Sequence, residues 1–257
     1  SHPLDRRKDL PVGEVVKSGP LGSLLKPDER EELADILKDE HVYNHKRGDY
    51  ITPSDREDNL YYVVSGSYFE RREIPSTHGT VFMNQDLISE DEVFGEELIT
   101  EDFESFWETT HNSRLLRIPG DVKSRLIKNI PKIKDNFDYL IYQKLRKIDY
   151  LSTIRNNHLG SEDKVRYSFN FLVEKLGHTL NGEYSKMQVL MPFHGHSLPM
   201  GHYSDYGAFK RIMYKEIGEL VGLSRESVSR VISRMCFHLN GKNYRIGFMQ
   251  NKQLYVF

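Results

Sequence analysis

Between residues 41 and 118 the apolar positions fall in short runs that turn residues separate. Within the run LYYVV (60–64), Leu60, Tyr62 and Val64 share one face, and the residues between them point to the other. Alternation with a period of two is typical of half-buried antiparallel strands. The stretch therefore predicts a compact all-β sandwich or roll.

Helical spacing precedes and follows this β stretch. PDEREELADIL (27–37) has its apolar residues on one helical face and a proline with acids in its first turn, which predicts a short helix. Between residues 131 and 157, apolar residues recur at steps of three and four, which predicts one helix about 40 Å long. This seam consists of Ile133, Phe137, Leu140, Ile141, Leu145, Ile148, Leu151 and Ile154.

A single apolar seam on so long a helix needs a partner. A two-stranded coiled coil with a second copy of the chain supplies one, while packing on the chain's own β stretch is the alternative. We predict a homodimer. The residues predicted at its interface are Ile133, Phe137, Leu140, Ile141, Leu145 and Ile148.

The segment YKEIGELVGLSRESVSRVI (214–232) predicts two helices that cross at a steep angle. Gly218 allows close approach, Gly222 suits the turn, and Ser224 is an N-cap for the second helix, 224–236. The apolar residues that pack between the helices are Ile217, Val221, Leu223, Val228 and Val231. The pattern indicates a helix-turn-helix, with an ordinary helical hairpin as the alternative.

With those apolar residues buried, Arg225, Glu226, Ser229 and Arg230 project outward from the second helix. Arginine donates two hydrogen bonds to guanine, and a carboxylate accepts one from the cytosine amino group. Glu226 is repelled by phosphates everywhere and recovers that loss only at the correct base, so it favours selectivity. The alternative for Glu226 is a surface ion pair with Arg230 one turn along.

Residues 245–257 predict two short strands around a turn, which is a wing when it follows a recognition helix. The groups predicted to contact DNA phosphates are Lys215, Ser224, Ser227 and Lys252, the last at the tip of the wing.

Charge changes sign along the chain, which has a net charge of −2 over 257 residues. Residues 161–257 hold 13 Lys and Arg against 8 Asp and Glu, so the C-terminal part is basic and the rest is acidic. A basic module on an acidic one suggests that the C-terminal part touches nucleic acid. Cys236 is the only cysteine, which excludes an intramolecular disulfide and disfavours an iron–sulfur site.

These patterns predict an α+β chain of four segments. They are an N-terminal arm (1–24), a β-roll domain (25–119), a dimerisation helix (120–158) and a winged helix-turn-helix domain (159–257). No secretory signal and no run of about 20 apolar residues is visible, so we expect a cytoplasmic protein without a membrane contact.

In this arrangement the chain resembles the Crp/Fnr family of bacterial transcription regulators from about residue 25 to its end. Arg225, Glu226 and Arg230 of SRESVSR match the base-reading positions of the cyclic-AMP receptor branch, and Glu226, Ser229 and Arg230 match the Fnr branch. The resemblance implies a cyclic-nucleotide-binding-type β-roll and a homodimer on an inverted DNA repeat with a TGA core.

The resemblance breaks at the effector pocket. Gly95 and Glu96 look like the start of the family's phosphate-binding cassette, but ITEDFESFWETTH (99–111) has no arginine or lysine after them. Its acids would repel a phosphate, so cyclic AMP or cyclic GMP is not expected as effector. Among 11 histidines none stands out as an axial ligand, and haem stays an open alternative.

The segment 192–209 is predicted to be an exposed loop that reaches DNA backbone or RNA polymerase. Its histidines His194, His196 and His202 are not fixed on a regular element, so we predict no metal site there. We therefore predict a sequence-specific DNA-binding regulator and not an enzyme, with no resident cofactor. The alternative is a ligand-sensing module that acts mainly through protein contacts.

Overall fold

A computed structural model describes residues 10–52, 59–95, 105–110, 112–177, 185–190, 197–203, 213–234, 236–239, 242–249 and 253–256. The chain divides into two compact units. The first comprises residues 1–81 and 85–149, and the second comprises Phe82–Asn84 and Tyr150–Phe257. No helix in the described part of the chain has the length and apolar character that a bilayer span requires.

The first unit is built on two four-stranded antiparallel sheets, with strand orders β1-β8-β3-β6 and β2-β7-β4-β5. Their strands are β1 (Val42–His45), β2 (Tyr50–Ile51), β3 (Asn59–Ser65), β4 (Ser67–Ser76), β5 (Gly79–Ser89), β6 (Val93–Phe94), β7 (Ser105–Thr109) and β8 (Ser113–Pro119). The predicted all-β stretch is therefore confirmed as a two-sheet roll.

Strand β3 is buried on both faces, although its alternation predicted a half-buried strand. Leu60, Tyr62 and Val64 pack against the helices of this unit, while Tyr61 and Val63 face the aromatic interior between the sheets. Helices thus cover one face and the second sheet covers the other, and the strand contains no charged residue on either side.

An N-terminal helix forms part of this helical cover. It is α1 (Val12–Ser18), followed by α2 (Pro27–Leu37), which agrees with the predicted helix 27–37. Val15, Val16 and Leu21 are completely or almost completely buried. Val12, Val15, Val16 and Leu21 thus contribute to the core of the first unit, which differs from the partly ordered arm that we predicted for residues 1–24.

Two helices follow the roll. They are α3 (Gly120–Asn129) and α4 (Ile133–Arg155), and the second agrees within two residues with the predicted helix 131–157. One stripe of α4 is buried by other residues of the same chain. It includes Ile133, Phe137, Leu140, Leu151 and Ile154. A second stripe is exposed or half-buried and contains Ile141, Leu145 and Ile148.

The two stripes change the predicted dimer interface. They lie about 100° apart around the helix at 3.6 residues per turn, so they are not one seam. Ile133, Phe137 and Leu140 are already covered within one chain and are not available to a partner. Leu145, which is 57% exposed, is the most accessible of the six predicted residues.

Besides the end of α4 and Phe82–Asn84, the described residues of the second unit form three helices and one sheet. The helices are α5 (Ser161–Gly177), α6 (Tyr214–Val221) and α7 (Arg225–Ile232). The sheet has the order β10-β9-β11-β12-β13, formed by β9 (Ser185–Leu190), β10 (Ser197–Tyr203), β11 (Cys236–Leu239), β12 (Lys242–Met249) and β13 (Gln253–Val256).

Three predictions for the second unit can be compared with the structure: the wing, the loop 192–209 and the end of the second helix. Strands β12 and β13 pair antiparallel and confirm the predicted wing. The predicted loop 192–209 contains β10, which pairs with β9, so that part of it is a strand. The second helix of the helix-turn-helix ends at Ile232, and Cys236 begins β11 instead of lying in a helix that runs to residue 236.

Candidate nucleic-acid interface

The turn between α6 and α7 is set by two glycines. Gly222 adopts a left-handed conformation with φ of 71°, which confirms its predicted role. A Cβ added to Gly218 would lie 2.4 Å from the carbonyl oxygen of Leu223, so only glycine permits this approach. The Leu223 amide donates back to the Gly218 carbonyl at 2.9 Å and closes the turn.

Ser224 begins the second helix as predicted. Its Oγ accepts a hydrogen bond from the Ser227 amide at 3.1 Å, which satisfies one of the donors left free at a helix N-terminus. The opposite side of α7 is anchored by Val228 and Ile232, both fully buried, and by Val231. Cap and anchors together fix which face of α7 points outward.

The outward face carries the predicted base-reading residues. Arg225, Glu226 and Arg230 are exposed, and Ser229 is half-buried. Arg230 Nη2 donates to Ser227 Oγ at 3.4 Å. Within the described part of the chain, no side-chain hydrogen bond or ion pair involves Arg225 or Glu226, and the alternative Glu226–Arg230 pair does not form. The structure thus brings the four residues together on one accessible helix face.

Three of the four predicted phosphate contacts lie on the two helices of the helix-turn-helix. Lys215 is exposed on α6, where Nζ lies 3.6 Å from Glu219 Oε1. Ser224 is exposed and Ser227 half-buried at the start of α7, and Ser224 Oγ donates to Ser227 Oγ at 3.0 Å. Lys252, predicted at the wing tip, lies outside the described residues.

The interior of the roll is filled with aromatic rings around Phe94. Its centroid lies 4.7 Å from that of Trp107, 5.2 Å from Tyr61 and 5.6 Å from Tyr68. The neighbouring Gly95 has φ of 115°, and a Cβ there would lie 2.5 Å from the Asn59 carbonyl oxygen. Gly95 is therefore required by the turn itself.

Other residues of the predicted effector pocket are only partly described. Glu96 lies outside the described residues, as do residues 97–104. Glu108, one of the acids expected to repel a phosphate, pairs with Arg71 of β4, so its charge is compensated. The described residues hold no group of three or more metal-ligating side chains. His194 and His196 are outside them, and the His202 side chain is not described.

Sequence reasoning missed a buried ionic cluster in the first unit, formed by Glu70, Asp86, Glu92, Lys144 and Lys147. Lys147 Nζ lies 3.0 Å from Asp86 Oδ2 and 2.7 Å from Glu92 Oε2, and Lys144 Nζ lies 3.0 Å from Glu70 Oε2. Asp86 is fully buried and Lys147 nearly so. The available signal was a lysine pair at i and i+3 in step with the buried stripe of α4.

The cluster shifts the pKa of its innermost members. Burial raises the pKa of Asp86 against the attraction of Lys147 and Lys144. Burial would lower the pKa of Lys147, but the attraction of Asp86 and Glu92 together with the hydrogen bond to Glu92 raises it overall. Lys147 is therefore held in its charged form.

Comparisons with known proteins agree with this geometry. Residues 215–235 match the family described as bacterial regulatory proteins, crp family. The fold is similar to that of the c-di-GMP-responsive global regulator CLP of Xanthomonas campestris, with 16% identity, a TM-score of 0.57 and coverage of 90% of this chain and 99% of that one. No curated protein sequence matches the chain.

Two further solved structures share the fold. FixK2 of Bradyrhizobium japonicum has 14% identity, a TM-score of 0.53 and coverage of 84% and 92% of the two chains. A CRP/FNR-family transcriptional regulator of Thermus thermophilus has 20% identity, a TM-score of 0.52 and coverage of 84% and 93%. The expected cyclic-nucleotide-binding-type roll followed by a helix-turn-helix is thus confirmed as a fold.

Proposed function

We infer that this chain, a Crp/Fnr-type transcription regulator by its helix-turn-helix and its fold, binds an inverted DNA repeat with TGA-core half-sites as a homodimer. The observation that carries the proposal is the free outward face of α7. Two of its three exposed side chains, Arg225 and Glu226, have no side-chain partner within the described residues, while the opposite face is buried. Leaving a carboxylate unpaired beside arginines favours base contact over simple attraction to phosphate.

The proposed division of labour follows from side-chain chemistry. Arg225, Glu226 and Arg230, with Ser229 beside them, would contact base edges in the major groove. Lys215, Ser224, Ser227 and Lys252 would contact phosphates and set the position of the protein on the duplex. Two α7 helices related by a two-fold axis would read half-sites one helical turn apart.

Fluorescence anisotropy with a TGA-core palindrome tests the proposal. We expect binding at least about 1,000-fold tighter than to a scrambled duplex at the same salt concentration. We also expect the logarithm of affinity to fall steeply with the logarithm of salt concentration, because phosphate contacts release counterions. Equal affinity for the two duplexes would refute sequence-specific binding, and a flat salt dependence would favour the module that acts through protein contacts.

The effector remains part of the proposal. The acid-rich segment after Gly95 and the aromatic filling around Phe94 support a regulator that does not depend on cyclic AMP. We propose that no resident cofactor is needed for DNA binding, that the chain acts in the cytoplasm, and that RNA polymerase is its second partner. Addition of cyclic AMP should leave the anisotropy curve unchanged.

The exposed stripe of α4 supports a narrower dimer interface than the sequence predicted. Ile141, Leu145 and Ile148 follow the three-and-four spacing of a coiled-coil seam. Leu145→Glu would face its own copy across the two-fold axis, and we expect it to weaken dimerisation at least about 100-fold because two unpaired charges would be buried. Sedimentation velocity over a range of concentrations measures this effect.

Tyr139→Glu is the matched control for this prediction. Tyr139 is 55% exposed on the same helix, about as much as Leu145, but it lies about 150° around the helix from the centre of the exposed stripe. We expect this variant to sediment as the wild type does. A dimer that withstands Leu145→Glu but dissociates with Tyr139→Glu would move the interface to the other side of α4.

A further inference from the structure

Arg155, the last residue of α4, reaches the helix-turn-helix within the second unit. Its Nε donates to the carbonyl oxygen of Leu220 at 2.8 Å, and its Nη2 donates to the carbonyl oxygen of Asn84. The backbone of Arg155 is held in turn, because Lys164 Nζ donates to its carbonyl oxygen at 3.1 Å. One guanidinium therefore joins α6 to two other segments of this unit.

Asn84 holds the same side of α6. Its side chain is fully buried, and Nδ2 donates to the carbonyl oxygen of Glu216 at 3.1 Å. Glu216 and Leu220 are four residues apart, so their carbonyls lie one above the other along the helix. Arg155 and Asn84 thus donate hydrogen bonds to two successive turns of α6 from outside the helix-turn-helix. We call these two residues the α6 brace.

The Leu220 carbonyl lies at the C-terminal end of α6, directly before the turn of the helix-turn-helix. It is one of the last four carbonyls of α6, which have no partner inside the helix. The positive charge of Arg155 also lies at the negative end of the α6 dipole. Leu220 precedes the left-handed Gly222 by two residues, and Gly222 sets the direction in which α7 begins. A hydrogen bond at this carbonyl therefore fixes the helix just before its turn.

We propose that Arg155 and Asn84 are positioning residues that determine sequence selectivity by fixing α6, and through it the base-reading face of α7. This inference rests on the proposed DNA-binding function. Base-edge hydrogen bonds require close alignment, whereas contacts with phosphates tolerate small displacements of a flexible lysine. Loosening α6 should therefore lower affinity for the correct site more than affinity for any other duplex.

The decisive variant is Arg155→Gln in the full-length chain. We expect affinity for the TGA-core palindrome to fall about 10- to 100-fold, as misalignment of a base contact worth roughly 1–3 kcal/mol in each half-site implies. Affinity for scrambled duplex should change less than about threefold, since Arg155 itself contacts no phosphate in this proposal. Anisotropy on the two duplexes at equal salt concentration gives the ratio directly.

Two further variants separate positioning from loss of charge. Arg155→Lys keeps the charge but cannot bridge two carbonyls with a planar guanidinium group. Its selectivity for the palindrome over the scrambled duplex should therefore lie between that of the wild type and that of Arg155→Gln. Asn84→Ala removes only the bond to Glu216 and should shift selectivity in the same direction. Arg166→Gln is the matched control, because Arg166 is half-buried in the same unit and pairs with Asp163 of its own helix.

Hydrogen exchange tests the α6 brace without DNA. The amide of Leu223, bonded to Gly218, should exchange faster in Arg155→Gln than in the wild type or in Arg166→Gln. If the wild type shows no DNA selectivity, the proposed function fails while the exchange experiment still decides whether Arg155 holds α6. Wild-type exchange at Leu223 in a folded Arg155→Gln variant, or wild-type selectivity in it, would overturn the inference.

Discussion

Lys147→Ala is expected to lower the free energy of unfolding by about 3–5 kcal/mol, the usual cost of removing one partner of a buried ion pair. Lys147 Nζ contacts Asp86, Glu92 and the carbonyl oxygen of Leu87, the last at 2.9 Å. Without the ammonium group, the fully buried Asp86 loses its ion-pair partner and keeps only the weaker attraction of Lys144. A domain commonly has only about 5–15 kcal/mol to lose, so the variant should unfold at much lower urea concentration.

This loss should depend on pH. Burial already raises the pKa of Asp86, and removing the attraction of Lys147 raises it further in the folded variant. The folded variant then binds a proton more readily than the unfolded chain, in which the pKa of aspartate is about 3.9. Stability therefore increases as the pH falls from the folded-state pKa toward that value. Measured by urea unfolding, the difference in the free energy of unfolding between variant and wild type should be smaller at pH 5.5 than at pH 7.5.

Lys134→Ala is the control for this prediction, since Lys134 is an exposed lysine of the same helix. Its Nζ lies 3.3 Å from Asp138 Oδ2, one turn along, and both side chains are largely exposed. Such a pair contributes about 0.3–0.5 kcal/mol, so the unfolding curve should hardly move. If both variants lost a similar free energy of unfolding, the buried ionic cluster would contribute no more to the stability of the first unit than an exposed ion pair does.

Arg230→Ala is expected to weaken binding to the TGA-core palindrome by at least about 30-fold, because a bidentate base contact worth roughly 1–3 kcal/mol is lost in each of two half-sites. Glu226→Ala should act differently. It removes a group that phosphates repel, so affinity for scrambled duplex should rise slightly while discrimination at one base pair of each half-site is lost. Anisotropy with a set of single-base variants of the palindrome measures both effects.

Lys215→Ala supplies the comparison for these two variants. As a proposed phosphate contact, Lys215 should contribute equally to every sequence, and its loss should reduce the salt slope by about 1 in each subunit. Discrimination among the palindrome variants should stay as in the wild type. If Arg230→Ala or Glu226→Ala instead weakened all duplexes uniformly, the outward face of α7 would be a phosphate contact and not a reader of bases.

The helix-turn-helix was predictable in detail because its determinants are local. Ser224 has a hydroxyl where a helix needs an N-terminal acceptor, and Gly222 supplies the left-handed residue that the turn requires. Gly218 lies five residues before the carbonyl that it must approach. Each requirement is satisfied within a few residues, so the sequence alone carries it.

The two stripes of α4 were harder to separate. The apolar residues of both stripes recur at steps of three and four, and they merged into one predicted seam. Lys144 and Lys147 belong to the buried stripe only because Glu70, Asp86 and Glu92 neutralise them from distant strands. The spacing of Lys144 and Lys147 indicates that both are buried, but pairings across 55 to 74 residues of sequence leave no periodic signal, so their acidic partners could not be predicted.

Elements that depend on distant partners were missed for the same reason. Helix α1 has only seven residues between prolines and glycines, and Val15 and Val16 are buried only because the core of the first unit surrounds them. Strand β10 lies in a segment rich in glycine, proline and histidine and becomes a strand by pairing with β9. In both cases tertiary contacts outweigh weak local propensity.

The charged members of the buried stripe of α4 also constrain how this chain can change during evolution. A substitution at Lys147 leaves Asp86 without its ion-pair partner, and a substitution at Asp86 leaves Lys147 with Glu92 as its remaining carboxylate partner. Close homologues are therefore expected to replace these positions jointly, either keeping both charges or exchanging the set for apolar residues of similar volume. For the same reason, a chimaera that receives α4 from a relative should fold well only when the facing positions of β4, β5 and the turn before β6 come from the same donor.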